Sequence, residues 1–178
     1  MTRKPQLRDR WRLAFARQAR SDREVYETLC RMPGLPVCHR LHYVQMFLEK
    51  LCKSFLWSTH DPTRGSPEFL TSHNVVVKVL PALVRKYCLR NKLASMNPQE
   101  FQELRDICRQ IDLLSPSVND DGRRPDNAEY PWAAMVKGMP AVCAPSEWDF
   151  PIQSRLNSPL GRVFLKSAGA ILQSLLEV

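Results

Sequence analysis

No histidine follows His73 in this 178-residue chain, and only His39, His42 and His60 precede it. The last 105 residues therefore carry no imidazole, the side chain best suited to moving a proton near neutral pH. No CxxC pair occurs among the six cysteines, Cys30, Cys38, Cys52, Cys88, Cys108 and Cys143. Scattered through helical patterns, they read as small core residues of a reducing cytoplasm rather than a zinc site or a disulfide framework. Glycine is scarce, with six in all, and no glycine-rich phosphate loop, paired-carboxylate motif or nucleophile elbow is visible. The most apolar stretch, Val75 to Val84, is broken by Lys78 and Pro81, and no basic segment followed by an apolar one opens the sequence. Membrane spanning and export are both disfavoured, and a cytoplasmic location is expected.

What is present is positive charge and helical periodicity. The net charge of +8 is unevenly placed. Residues 1–40 hold ten Arg or Lys against four Asp or Glu, a net of +6, whereas residues 98–149 hold ten acids against five bases. Arg12, Arg17, Arg20 and Arg23 on the first helix, with Arg85, Lys86 and Arg90 further on, make a candidate basic face for nucleic acid or an acidic partner. The bland alternative is a set of solvated arginines on exposed helix faces. A chain of this length fits one domain, residues 1–178.

The helical reading starts with residues 6–30, where Trp11, Phe15, Ala19, Asp22, Tyr26 and Leu29 share a stripe ended by Met32-Pro33-Gly34. Asp22 is a carboxylate inside that stripe, which calls for a polar partner across the packing seam, His42 or Lys50. Residues 38–57 form a helix apolar around more than half its circumference, the signature of the central member of a bundle. A polar loop over 58–71 leads to a helix capped by Thr71 or Ser72, kinked at Pro81 and running to about Leu89. Asn97-Pro98-Gln99-Glu100 combines a cap residue, a first-turn proline and a glutamate three places on, and so opens another helix. Between 115 and 158 the periodicity fails and prolines and aromatics accumulate, which reads as an ordered strap laid over the bundle with at most a short helical turn. Ser158-Pro159 starts the last helix. The expected fold is all-α, an antiparallel bundle of about five helices with a strap at about 115–158.

His42, Gln45, Glu49 and Lys53 stand in one row along the edge of the central helix. Gln45–Glu49 and Glu49–Lys53 are i,i+4 pairs, so the row reads first as a polar network fixing helix register or a dimer seam. The sharper reading is anion or RNA-backbone contact through Lys50, Lys53 and nearby arginines. Cys38-His39-x2-His42 raises metal binding, but no second ligand cluster exists and no metal is expected. His73 reads as a capping or packing residue at a helix start. Tyr130 and Trp132 are either base-stacking platforms or anchors of the strap.

Gln45-x3-Glu49-Lys50-x2-Lys53, with Tyr43 ahead of it, resembles the second helix of HEPN domains (higher eukaryotes and prokaryotes nucleotide-binding). Ser72-His73-Asn74 is similar to the Thr-His-Asp start of their following helix. Ala128-Glu129-Tyr130-Pro131-Trp132 resembles their Arg-Tyr-Pro segment, with Glu129 where arginine is usual. The resemblance spans roughly residues 10–178 and implies a helical domain, a homodimer, and RNA, a nucleotide or a protein partner. It also implies a bacterial setting beside a nucleotidyltransferase, or in defence or toxin–antitoxin systems. Nuclease members carry Arg-x4–6-His late in the bundle, and this chain does not. The expectation is a non-catalytic binding module without a cofactor. Its rival is a diverged metal-independent ribonuclease using His42, Glu49 and Lys53, or His73, in place of that motif.

Overall fold

The computed structural model describes residues 7–60, 67–93, 95–118 and 127–177. Pro62 and Gly65 of the expected polar loop and Pro125 of the strap lie outside them. Six helices and one small hairpin make up the described structure, an all-α bundle with a β ornament. The helices are α1 (Leu7–Cys30), α2 (Val37–Thr59), α3 (Val76–Arg90), α4 (Pro98–Asp112), α5 (Ile152–Asn157) and α6 (Pro159–Leu176). Strands β1 (Trp132–Val136) and β2 (Met139–Cys143) pair antiparallel in the strap. No described helix is long and apolar enough to cross a membrane.

α2 occupies the centre because its side chains leave no broad polar face to give to water. Leu41, Val44, Phe47, Leu48, Leu51 and Cys52 are all buried, and the helix touches α1, α3, α4 and α6. α1 lies along it through small residues, Ala16 and Ala19, which let the backbones approach until Ser54 Oγ donates to the Arg12 carbonyl at 2.9 Å. The buried stripe of α1 keeps Ala19 and Asp22 of the expected one and swings toward Arg12 and Ala16 at its start. Arg12, Ala16, Ala19 and Asp22 face inward, while Trp11 is 42% exposed and stacks at the rim on Trp57, ring centroids 5.6 Å apart. Asp22 meets Lys50 across the seam at 2.6 Å, one of the two partners its place in the stripe called for.

The starts of α4 and α6 follow their sequence signals. Asn97 and Glu100 form a reciprocal capping box, and Ser158 Oγ accepts from Gly161 N at 3.0 Å. The start of α3 does not. Neither Thr71 nor Ser72 caps it; the helix begins at Val76, and its first N–H groups are taken by the Asp112 carboxylate at the far end of α4.

The strap differs most from its sequence reading. Its hairpin turns at Lys137-Gly138, both at positive φ (51° and 80°), the backbone a two-residue hairpin turn demands. Neither strand alternates apolar and polar residues, and Pro140 sits in β2, tolerable because a two-stranded sheet has only edges. The segment is fastened by Trp132, which packs edge-on against Trp148, and by Phe150, Ile152 and Leu156. α5 is a sixth helix, too short for a periodic signal.

Gly161 marks the tightest junction. A Cβ there would overlap the carbonyl oxygens of Arg155 and Leu156, whereas one at Gly169 would have the end of the Arg23 side chain as its nearest neighbour, 2.5 Å away. Gly161→Ala is expected to cost about 3 kcal/mol in urea unfolding, as overpacking against rigid backbone does. Gly169→Ala is expected to stay within about 1 kcal/mol of the parent, helix propensity offsetting the displaced arginine.

Candidate functional site: a closed polar seam and an open cleft

The row along α2 splits into two environments. Gln45, Glu49 and Lys53 are each at most 5% exposed, covered where α2 runs under the connection to α3. Gln45 Nε2 donates to Glu49 Oε2 at 2.8 Å, and Lys53 Nζ donates to Glu49 Oε1 at 2.7 Å and to the Leu70 carbonyl at 2.9 Å. His73, brought over by the turn at Glu68–Leu70, places Nδ1 3.1 Å from Glu49 Oε2. Facing an ionised carboxylate, that nitrogen carries its proton. Burial by itself would raise the Glu49 carboxyl. The bonds and charge of Lys53, followed by those of His73, outweigh it and hold the carboxyl below its ordinary value. Only Gln45 Oε1 is left without a hydrogen bond among the seam's buried side-chain oxygens and nitrogens. Lys50, beside the row, pairs with Asp22 on the α1 side.

A second carboxylate lies beneath the same connection. Asp112, 2% exposed, accepts from Val76 N at 3.2 Å and Val77 N at 2.9 Å, closing the start of α3 from across the bundle. Burial pushes its carboxyl up to about 7 against the pull of those two donors, and the Glu49 charge adds to the rise. Burial also raises the thiols of Cys52 and Cys108, next to these acids. Thiols held protonated in the core are not nucleophiles. All six cysteines are free.

His42 belongs elsewhere. Its Nδ1 lies 3.3 Å from Glu129 Oε1, at the mouth of a cleft of about 500 Å³ between the first turns of α2 and the strap. Cys38, His39, Tyr43, Tyr130, Pro131 and Ser146 are among the other residues that line it. Asn127 builds the strap side. Its side-chain oxygen accepts from Glu129 N at 2.8 Å and Tyr130 N at 3.3 Å, and its amide donates to the Tyr130 carbonyl at 2.9 Å. This turn holds Tyr130 outward, 60% exposed. Ala128 N bonds the Leu114 carbonyl at 3.1 Å, pinning the turn to the end of α4.

Several candidates therefore change role. The proposed catalytic row of His42, Glu49 and Lys53 is not assembled: two helical turns, about 10 Å of rise, separate His42 from Glu49, and each has its own partners. Trp132 is 2% exposed and anchors the strap, so it offers no face to a base. Arg12 is not part of a basic face; it is 7% exposed and donates to the Leu175 carbonyl at 2.5 Å at the end of α6. Arg17 and Arg20 are exposed and Arg23 partly so, with Arg20 and Arg23 paired to Glu24 and Glu27 one turn on. Arg85, Lys86 and Arg90 are exposed on α3, which α6 separates from α1. Ser146, Asn127 and Asp112 were missed as site or framework residues, and His39, weighed only as a metal ligand, lines the cleft. Asn127 carried a signal, an Asn four places before Pro131 in a non-periodic segment, and so did Asp112, an acid continuing an apolar stripe. Among the described residues no group of three or more His, Cys, Asp and Glu is arranged to hold a metal. Compared with protein-family models, curated proteins and solved structures, the chain matches none.

Lys53→Met leaves the Glu49 carboxylate buried without its cation and is expected to destabilise the fold by about 3 kcal/mol in urea titration; Glu49→Leu with Lys53→Met recovers much of it. The two acids act oppositely on pH. Asp112, raised from an ordinary 3.8 to about 7, adds stability fully below 3.8 that is lost as pH rises through 7. Glu49, lowered, adds stability that is lost as pH falls through its depressed value. Asp112→Asn is expected to flatten the decline between pH 4 and 7 in the urea midpoint; an unchanged slope would refute the assignment.

Proposed function

We infer that this chain is a non-catalytic, HEPN-like binding module that holds a base of RNA or of a free nucleotide in the α2–strap cleft. The observation that carries this reading is the division of the polar groups. Glu49, Lys53 and Gln45 bond one another away from solvent, while His39, Tyr130 and the paired His42 and Glu129 line an open cleft. Tyr130 supplies an exposed ring for stacking, and Glu129 with His42 supplies an acceptor and a donor for a base edge. The Glu129 carboxylate repels phosphate, so a base edge suits the cleft better than a phosphate does. With Glu49 saturated and no late Arg-x4–6-His motif, the seam lacks a free proton-transfer group beyond His73, which is itself tied to Glu49.

The homodimer implied by the resemblance draws support from the hairpin, where Met135, Met139 and Val142 are 67%, 69% and 79% exposed on strands with unpaired edges. A setting beside a nucleotidyltransferase, or in defence or toxin–antitoxin systems, rests on the resemblance alone. Purified protein is expected to carry nucleic acid or nucleotide, read as a raised 260/280 nm absorbance ratio, and to scatter light as a dimer of 20.6 kDa chains. Tyr130→Ala and His42→Ala are each expected to cut RNA-oligonucleotide affinity by about tenfold with the fold intact. A protein-only spectrum, with affinity indifferent to both changes, sinks the cleft reading; a monomeric mass sinks the dimer.

A further inference from the structure

α3 and α4 leave a second concavity, which shares no residue with the α2–strap cleft. It is a shallow groove of about 610 Å³ with an apolar floor of Ala82, Leu89 and Phe101 and a rim of Arg85, Lys86 and Arg90. Leu89 is 54% exposed there, an unusual place for a leucine on a helix whose opposite face is fully buried. None of the three cations forms an ion pair with another described residue, unlike Arg20, Arg23 and Arg109, which each hold an acid. On α4, exposed Arg105 lies one turn beyond Phe101 and extends the same positive rim.

Positive charge alone is compatible with nucleic acid. The floor argues for protein. Among the described residues Phe101 is the only aromatic lining the groove, and the Arg85 guanidinium lies over its ring, 5.0 Å from the centroid. No ring is left for a base to stack on. A strand of RNA would reach the cations through its phosphates and leave Leu89 and Ala82 without partners. The guanidinium over Phe101 forms no ion pair with another described residue, so its N–H groups can receive a carboxylate in fork geometry.

We propose that the α3–α4 groove docks an acidic amphipathic helix of a partner protein, its apolar residues seated on Leu89, Ala82 and Phe101 and its carboxylates on Arg85, Lys86 and Arg90. This is helix-in-groove recognition, with apolar anchors giving affinity and the rim giving orientation and charge selection. The proposal is independent of the base-binding cleft and stands if that cleft proves empty.

The test uses a fluorescein-labelled helical peptide with leucines along one stripe and glutamates elsewhere, followed by fluorescence anisotropy against the full chain. Two competitors are the same peptide with glutamine for glutamate and a polyuridylate strand. Saturable binding of the acidic peptide is expected, weakened about tenfold by Lys86→Glu with Arg90→Glu and by Leu89→Ser, and weaker by a similar factor for the glutamine peptide. All three side chains are exposed, and matching circular-dichroism melts show that the variants fold. Equal affinity of parent and variants overturns the proposal. So does polyuridylate binding that falls with the charge reversals but ignores Leu89→Ser, which would make the groove a nucleic-acid surface. Loss of RNA binding in Tyr130→Ala leaves the peptide result untouched, so the two readings fail separately.

Discussion

Glu49 is a carboxylate inside a helical bundle, and it stays charged there only because three other groups converge on it. Lys53 comes from its own helix one turn on, Gln45 from one turn back, and His73 from a segment 24 residues further along. Lys53 spends another donor on the Leu70 carbonyl, so the connection between α2 and α3 is tied to the same point. Removing a charge from water costs several kcal/mol, and the arrangement recovers that cost only while every member is in place. The path of the chain into α3 depends on this one acid being satisfied. A ligand competing for Gln45, Glu49 or Lys53 would have to break the fold's own network.

The open cleft follows from the opposite circumstance. Toward its N-terminal end α2 emerges from the cover of the helices and is met by the strap, whose backbone is held by Asn127 and by the end of α4. There His42 pairs with Glu129 at the cleft, and Tyr130 faces solvent. The same helix thus carries a buried polar cluster in its middle and a solvent-facing one near its start. The difference is one of covering, not of residue type.

How much of this was written in the sequence follows from the range of each interaction. The capping box at Asn97 and the cap at Ser158 are local, and both were read correctly from a few adjacent residues. The burial of the central helix and the need of Asp22 for a polar partner, His42 or Lys50, were legible too, because periodicity places side chains on faces without any knowledge of their neighbours. Where a contact joins distant segments, the signal is lost. Thr71 and Ser72 look like caps, yet the cap of α3 arrives from Asp112, 36 residues beyond Val76. Arg12 looks like surface because arginine usually is, and it is buried because α6 ends with a carbonyl above it. The hairpin was hidden for another reason. Its strands are short, edge-like and without alternation, and its Lys-Gly turn is no strong dipeptide signal.

The cap on α3 has a consequence for how the chain folds. A helix whose first turn is closed by its own residues can form early and alone; one closed from 36 residues away cannot hold its end until the remote segment has docked. The first turn of α3 and the last turn of α4 therefore form and fray together, as one cooperative unit rather than two. Hydrogen exchange at Val76 and Val77 would follow the opening of the α3–α4 pair rather than the propensity of the Val75–Val77 run, making those two amides reporters of the whole pairing.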